Sequence, residues 1–125
     1  MLGIFGIFGR SQEMQRLDRA LRAAGLHPRI VADAVKIATL KQLKEASRSA
    51  SDREIEAAAE LIAYCGLGAN AFADANGLTR TEAVELRLVS AIEQESSLDA
   101  RLVLLTLHAK LTHPSVIARY DLGIG

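Results

Sequence analysis

Leu98-Asp99-Ala100-Arg101-Leu102-Val103-Leu104-Leu105-Thr106-Leu107-His108-Ala109-Lys110-Leu111 decides how the chain is read. At 3.6 residues per turn, Leu98, Leu102, Val103, Leu104, Leu105, Leu107 and Leu111 encircle the axis instead of forming one stripe. A helix apolar nearly all round belongs at the centre of a bundle. The expected fold is therefore all-α, a single globular domain of about five to seven helices with the segment Leu98 to Leu111 at its centre.

Outward from this segment, helices follow one another with recognisable ends. Ser11 is placed to cap the first, Met14, Leu17, Leu21 and Ala24 share one face, and Gly25 ends it in a left-handed conformation. Pro28 suits a first helical position, and the pattern Ile30/Val31, Ala34, Ile37/Ala38, Leu40/Leu43 predicts a helix over residues 28–46. Residues 47–51 are serine-rich and linker-like. Ser51-Asp52-Arg53-Glu54 is a capping box, in which serine and glutamate satisfy each other's backbone donors, and Ile55, Ala58/Ala59, Ile62 and Cys65 follow on one stripe. Gly66 and Gly68 mark a break, a kink or a close crossing. A short helix over residues 69–75 then closes at Asn76-Gly77. Thr79-Arg80-Thr81-Glu82 reads as a second capping box, opening a helix to about residue 95. His113-Pro114 opens the last. No run alternates with strand periodicity.

Composition narrows the function classes. Half of the 125 residues are apolar and only 4% aromatic, so the core is aliphatic and large enough to need no metal or disulfide. The 15 basic and 15 acidic residues cancel, which argues against a dedicated nucleic-acid binder. Cys65 is the single cysteine, consistent with a reducing, cytoplasmic location. Residues 1–9 lack the basic start of a signal peptide, and no apolar run approaches the ~18–20 residues of a membrane span.

Phe72 to Leu86 carries the strongest hints of chemistry. As a helix-turn-helix centred on Thr79 to Arg87, it would present Arg80, Thr81 and Arg87 to DNA, although Glu82 and Glu85 cancel the positive charge. As a calcium loop, Asp74, Asn76 and Glu85 fall at positions one, three and twelve, but Leu78 and Thr79 occupy positions that require an oxygen ligand and a glycine. The stretch also resembles the acidic Asp-Gly…Glu helix junctions of tellurite-resistance B-type helical domains. Here Asn76-Gly77 stands in place of Asp-Gly, which removes a charged ligand, and the likeness extends no further along the chain. The favoured reading is structural: Asn76-Gly77 ends one helix, and Thr79 with Glu82 caps the next.

Catalytic, cofactor and metal templates do not emerge. His108 and His113 miss the i,i+4 spacing of paired ligands, His27 and His113 precede prolines at helix starts, and Cys65 lies on an apolar stripe without a partner cysteine. The remaining oddity is the glycine-rich segment of residues 1–10, which precedes the helical domain of residues 11–125. Its Ile4, Phe5, Ile7 and Phe8 are expected to dock on a protein partner or a twin subunit, with packing against an apolar patch of their own domain the competing reading and contact to a membrane surface the weaker alternative. The function expected is a non-enzymatic interaction or regulatory module. A DNA-binding helix-turn-helix is the alternative. A metal-binding protein or enzyme assembled from distant residues comes third.

Overall fold

Ser11 opens the first helix, its Oγ accepting a hydrogen bond from the Met14 amide at 3.0 Å. The computed structural model describes residues 11–47 and 50–123. Among them it contains α1 (Gln12–Ala23), a 3₁₀ turn (Pro28–Ile30), α2 (Asp33–Ser47), α3 (Asp52–Leu67), α4 (Ala69–Asn76), α5 (Leu78–Glu93), α6 (Leu98–His108) and α7 (Pro114–Tyr120), with no strand. The chain is one all-helical domain, as its periodicities require.

Glycines set the joints. Gly25, at φ +96°, reverses the chain after α1, and the Leu26 amide reaches back to the Leu21 carbonyl at 3.0 Å. A Cβ there would also stand 2.6 Å from the Ala75 Cβ, so α4 approaches as closely as a bare backbone allows. Of the two glycines expected to interrupt the third helix, Gly68 does so: at φ +86° it ends α3 and begins α4. Gly77, at φ +89°, turns α4 directly into α5. That turn overrules the second capping box. Helix α5 starts at Leu78, leaving Thr79 inside the first turn, and Thr81 Oγ1 donates instead to the Gly77 carbonyl at 2.8 Å. Pro28 likewise starts only the 3₁₀ turn. Val31 is extended, and α2 begins at Asp33.

The most enclosed helix is α3. Its capping box forms as expected, with the Glu54 amide on Ser51 Oγ and the Ser51 amide on Glu54 Oε1. Ile55, Ala58, Ala59, Leu61, Ile62, Ala63, Tyr64 and Cys65 are all buried. Helices α1, α2, α4, α5 and α6 pack around it. Three alanines explain this: methyl side chains let neighbours approach on several sides, while Leu61 and Ile62 fill the gaps. The segment Leu98 to Leu111 is helical to His108 and packs against α2, α3 and α5, an interior position. Its apolar residues do not all turn inward, however: Leu102 and Val103 are buried, whereas Leu104 is 47% exposed.

Charge also reaches the interior. Lys36 is 3% exposed, and its ammonium lies 2.8 Å from Asp18 Oδ1 on α1 and 3.8 Å from Asp33. An ammonium at that depth requires a carboxylate partner, so the pair fixes α1 against α2.

The contrast between α3 and α6 is measurable by urea denaturation. Leu61→Ala, at a fully buried site, is expected to cost ~2–5 kcal/mol. Leu104→Ala should stay within about 0.5 kcal/mol.

Candidate functional site

Three surface features stand out: a polar knot under α7, a charged groove beside α3, and an apolar face on α5 and α6. The knot begins at Tyr64, whose ring is buried in α3 and edge-on to Phe72 at 5.6 Å. Its hydroxyl donates to Glu85 Oε2 at 2.8 Å and lies 3.0 Å from the Tyr120 hydroxyl. Arg119 Nη1 reaches the same Glu85 oxygen at 2.7 Å. The His113 amide donates to the Cys65 carbonyl at 2.7 Å, and His113 Nδ1 accepts from the Ser115 amide at 3.1 Å, capping α7. His27 caps the 3₁₀ turn through Nδ1 in the same way. Burial, aided by the hydroxyl of Tyr120 and the carboxylate of Glu85, holds the Tyr64 phenol protonated well above its ordinary range. Such a phenol is a poor acid that keeps its proton, and each of these side chains has a partner. It joins α3, α5 and α7.

The groove between α1 and α3, of ≈ 440 Å³, is lined by Arg16, Arg19 and Arg80 facing Asp52, Glu56 and Glu60. Arg16 binds Asp52 at 2.8 Å and Arg80 lies 3.6 Å from Glu60. The charges are equal in number and largely neutralise one another.

The third feature differs in kind. Leu78 and Leu86 on α5 are 74% and 71% exposed, and Val89 and Ile92 follow at 46% and 42%. Leu86, Val89 and Ile92 are successive i,i+3 neighbours, so they form one stripe. It runs into a groove of ≈ 420 Å³ between α5 and α6, lined by Ile92, Val103, Leu104, Leu107 and Leu122 with Glu95 at its edge. Glu82 and Glu93, both exposed, share this side of α5, Glu82 lying one turn from both Leu78 and Leu86 and Glu93 one turn from Val89. Single exposed leucines are ordinary, but four large apolar residues on one helix beside an apolar groove mark a surface suited to contact.

The residues picked out for DNA contact are not brought onto one outward face. Thr81 is buried. Arg87 forms a bidentate pair with Asp99 at 2.9 and 3.1 Å and also donates to the Ala57 carbonyl at 2.9 Å, tying α5 to α6 and α3. Arg80 is exposed beside Glu60. Asp74, Asn76 and Glu85 do not converge either: Glu85 belongs to the knot, and the Asn76 side chain donates to the Ala24 and Phe72 carbonyls. Among the described residues no cluster of histidine, cysteine and carboxylates is placed to hold a metal, and no helix is long and apolar enough to cross a membrane. Ile4, Phe5, Ile7 and Phe8 lie outside the described residues. The α5–α6 face escaped sequence reasoning, although Leu78, Leu86, Val89 and Ile92, extra to the inward series Thr81, Val84, Leu88 and Ala91, were its signal.

The described residues thus form a small all-α domain that exposes an apolar face on α5 and α6. Comparison with known protein families, with curated proteins and with solved structures gives no match.

Two outcomes test these assignments. Arg87→Ala should lower stability by about 1–3 kcal/mol, through lost charge-assisted bonds at a partly exposed site. Arg80→Ala should change it by less than about 0.5 kcal/mol; urea midpoints check both. Burial pushes the Cys65 thiol from 9.0 up to about 11, partly offset by the Thr106 hydroxyl and the charge of Arg87. Between these values the unfolded chain has released the proton while the folded chain keeps it, so stability falls as pH rises. About 2–3 kcal/mol should be lost from pH 9 to 11, and Cys65→Ala should remove that part of the loss in denaturation series at stepped pH.

Proposed function

We propose that this domain is a protein-interaction module that docks a partner on the α5–α6 face. The observation that carries the reading is the stripe of Leu78, Leu86, Val89 and Ile92 continuing into the groove lined by Leu104, Leu107 and Leu122. Burying a side chain of this size fully is worth roughly 1.5–3 kcal/mol. Association costs an estimated ~4–15 kcal/mol, so partly exposed residues alone support modest affinity and the rim must contribute orientation. Exposed carboxylates accompany the apolar residues on α5, Glu82 and Glu93, and Glu95 lines the groove. The partner's matching surface is therefore apolar and flanked by lysine or arginine.

A photo-cross-linking residue in place of Leu86 should give a discrete protein adduct in the producing cell, and the same residue at the exposed position of Arg53, on α3, should give none. The adduct should disappear when Val89→Glu is added, with thermal unfolding changed by little, because Val89 is half outside the fold. Equal labelling from both positions, or none from position 86, would remove this face from consideration.

A further inference from the structure

Residues 2–9 carry five large apolar side chains, those of Leu2, Ile4, Phe5, Ile7 and Phe8, and two of the three phenylalanines of the chain. The third, Phe72, is fully buried. Seven large hydrophobic side chains are exposed among the described residues, and five of them, Leu78, Leu86, Val89, Ile92 and Leu104, belong to the α5–α6 face. A groove of ≈ 420 Å³ opens beside these five. Ile30 and Ile37, the other two, offer a smaller apolar surface.

We infer that residues 2–9 lie across the α5–α6 face of their own chain when no partner is bound, and that a partner takes the face by displacing them. The inference rests on the reading of α5–α6 as a docking face and adds how access to that face is controlled. Reach favours the same chain. The described residues begin at Ser11, the cap of α1. Glu13, in the first turn of α1, pairs with Lys44 on α2. Gln42, two residues before Lys44, accepts a hydrogen bond from Arg101 on α6 at 3.3 Å. Ala100, the neighbour of Arg101, lines the groove. The start of α1 and one end of the groove therefore stand at one level of the bundle. Two helix packings separate them, α1 on α2 and α2 on α6. At about 8–10 Å each, these amount to about 16–20 Å. Residues 2–10 extend to about 30 Å, which brings Leu2, Ile4 and Phe5 within reach of the groove.

Charge is compatible with this docking. Residues 1–10 contain no carboxylate for Glu82, Glu93 and Glu95 to repel, and their one charged side chain, Arg10, is basic. The segment thus has the chemistry that the face asks of a partner, apolar residues with a cation beside them. Gly3, Gly6 and Gly9 raise the entropy lost on ordering the segment, which keeps its hold on the face weak. Its tether compensates, because a short linker supplies an effective concentration on the order of millimolar. A competing partner binds only while the face is open, and its apparent affinity falls by that fraction.

The test is photo-cross-linking in the purified full chain, from a reactive residue in place of Leu104. Trypsin cuts after Arg10, so the expected product joins the groove to the peptide that ends there, at a yield independent of protein concentration. In an equimolar mixture of isotope-labelled and unlabelled protein, both halves of each product should carry the same isotope. The reactive residue at Asp74, exposed on α4 beside the far end of α1, should not give this product. Phe5→Glu should lower the yield about tenfold, the equilibrium equivalent of one lost apolar contact, with circular dichroism unchanged. In the producing cell, Phe5→Glu should raise the yield of the protein adduct from position 86. Products of mixed isotope overturn the inference, because the segment then serves a neighbouring copy. A product from position 37 in place of position 104 also overturns it, since the segment then lies on α2. An adduct from position 86 that Phe5→Glu leaves unchanged overturns the displacement and leaves the docking face standing. A same-chain product with no adduct from position 86 in either protein overturns the docking reading as well, and the segment is then a fixed cover of its own domain.

Discussion

Everything in this fold depends on enclosing α3. A helix enclosed by neighbours on nearly every side must be thin, and Ala58, Ala59 and Ala63 make it so. This enclosure constrains the neighbours. Gly68 ends the helix at φ +86°, a conformation side-chain-bearing residues rarely adopt, and a Cβ there would press on the Ser115 hydroxyl at 3.0 Å. Gly25 must stay bare so that α4 can fold back against the end of α1. Cys65 offers its carbonyl to the His113 amide because α7 comes to rest on that same turn.

Polar residues serve this enclosure more than they serve the surface. Lys36 with Asp18, Arg87 with Asp99 and Ala57, and Tyr64 with Glu85, Tyr120 and Arg119 each join different helices. They set the relative position of elements whose aliphatic contacts are non-directional. The outer side of α5 is the exception. There large apolar side chains stay partly open to solvent, and the carboxylates Glu82 and Glu93 among them are exposed.

Helix ends were the most legible part of the sequence, because each is settled by a residue or two acting locally. Ser11, Gly25, Ser51 with Glu54, and His113-Pro114 all act as their chemistry dictates. Thr79 misled because a glycine two residues earlier had already turned the chain, and a local signal yields when a neighbour satisfies the same backbone groups first. The rank of the helices by burial was less legible. Leucine content pointed to residues 98–111, whereas enclosure is decided by how closely backbones approach, and alanine contributes little to a hydropathy pattern. The candidate face was hidden for a related reason: α5 carries an inward and an outward apolar series, and only the packing of α3, α4 and α6 tells which is which. Arg80, Thr81 and Arg87 look alike in a helix-turn-helix reading, yet one is exposed, one is buried and one is a tether.

Helix α7 has seven residues, too few to be stable as an isolated helix in water. Its helicity is therefore borrowed from the Cys65 carbonyl, the Tyr64 hydroxyl and Glu85. A segment held in this way opens as a unit, below the free energy of global unfolding. Its release would take Tyr120 and Arg119 away from Tyr64 and Glu85 and free Leu122, which borders the α5–α6 groove. Amide exchange in α7 and the shape of that groove are in this sense a single equilibrium, so an occupant that grips Leu122 would also slow exchange along the C-terminal helix.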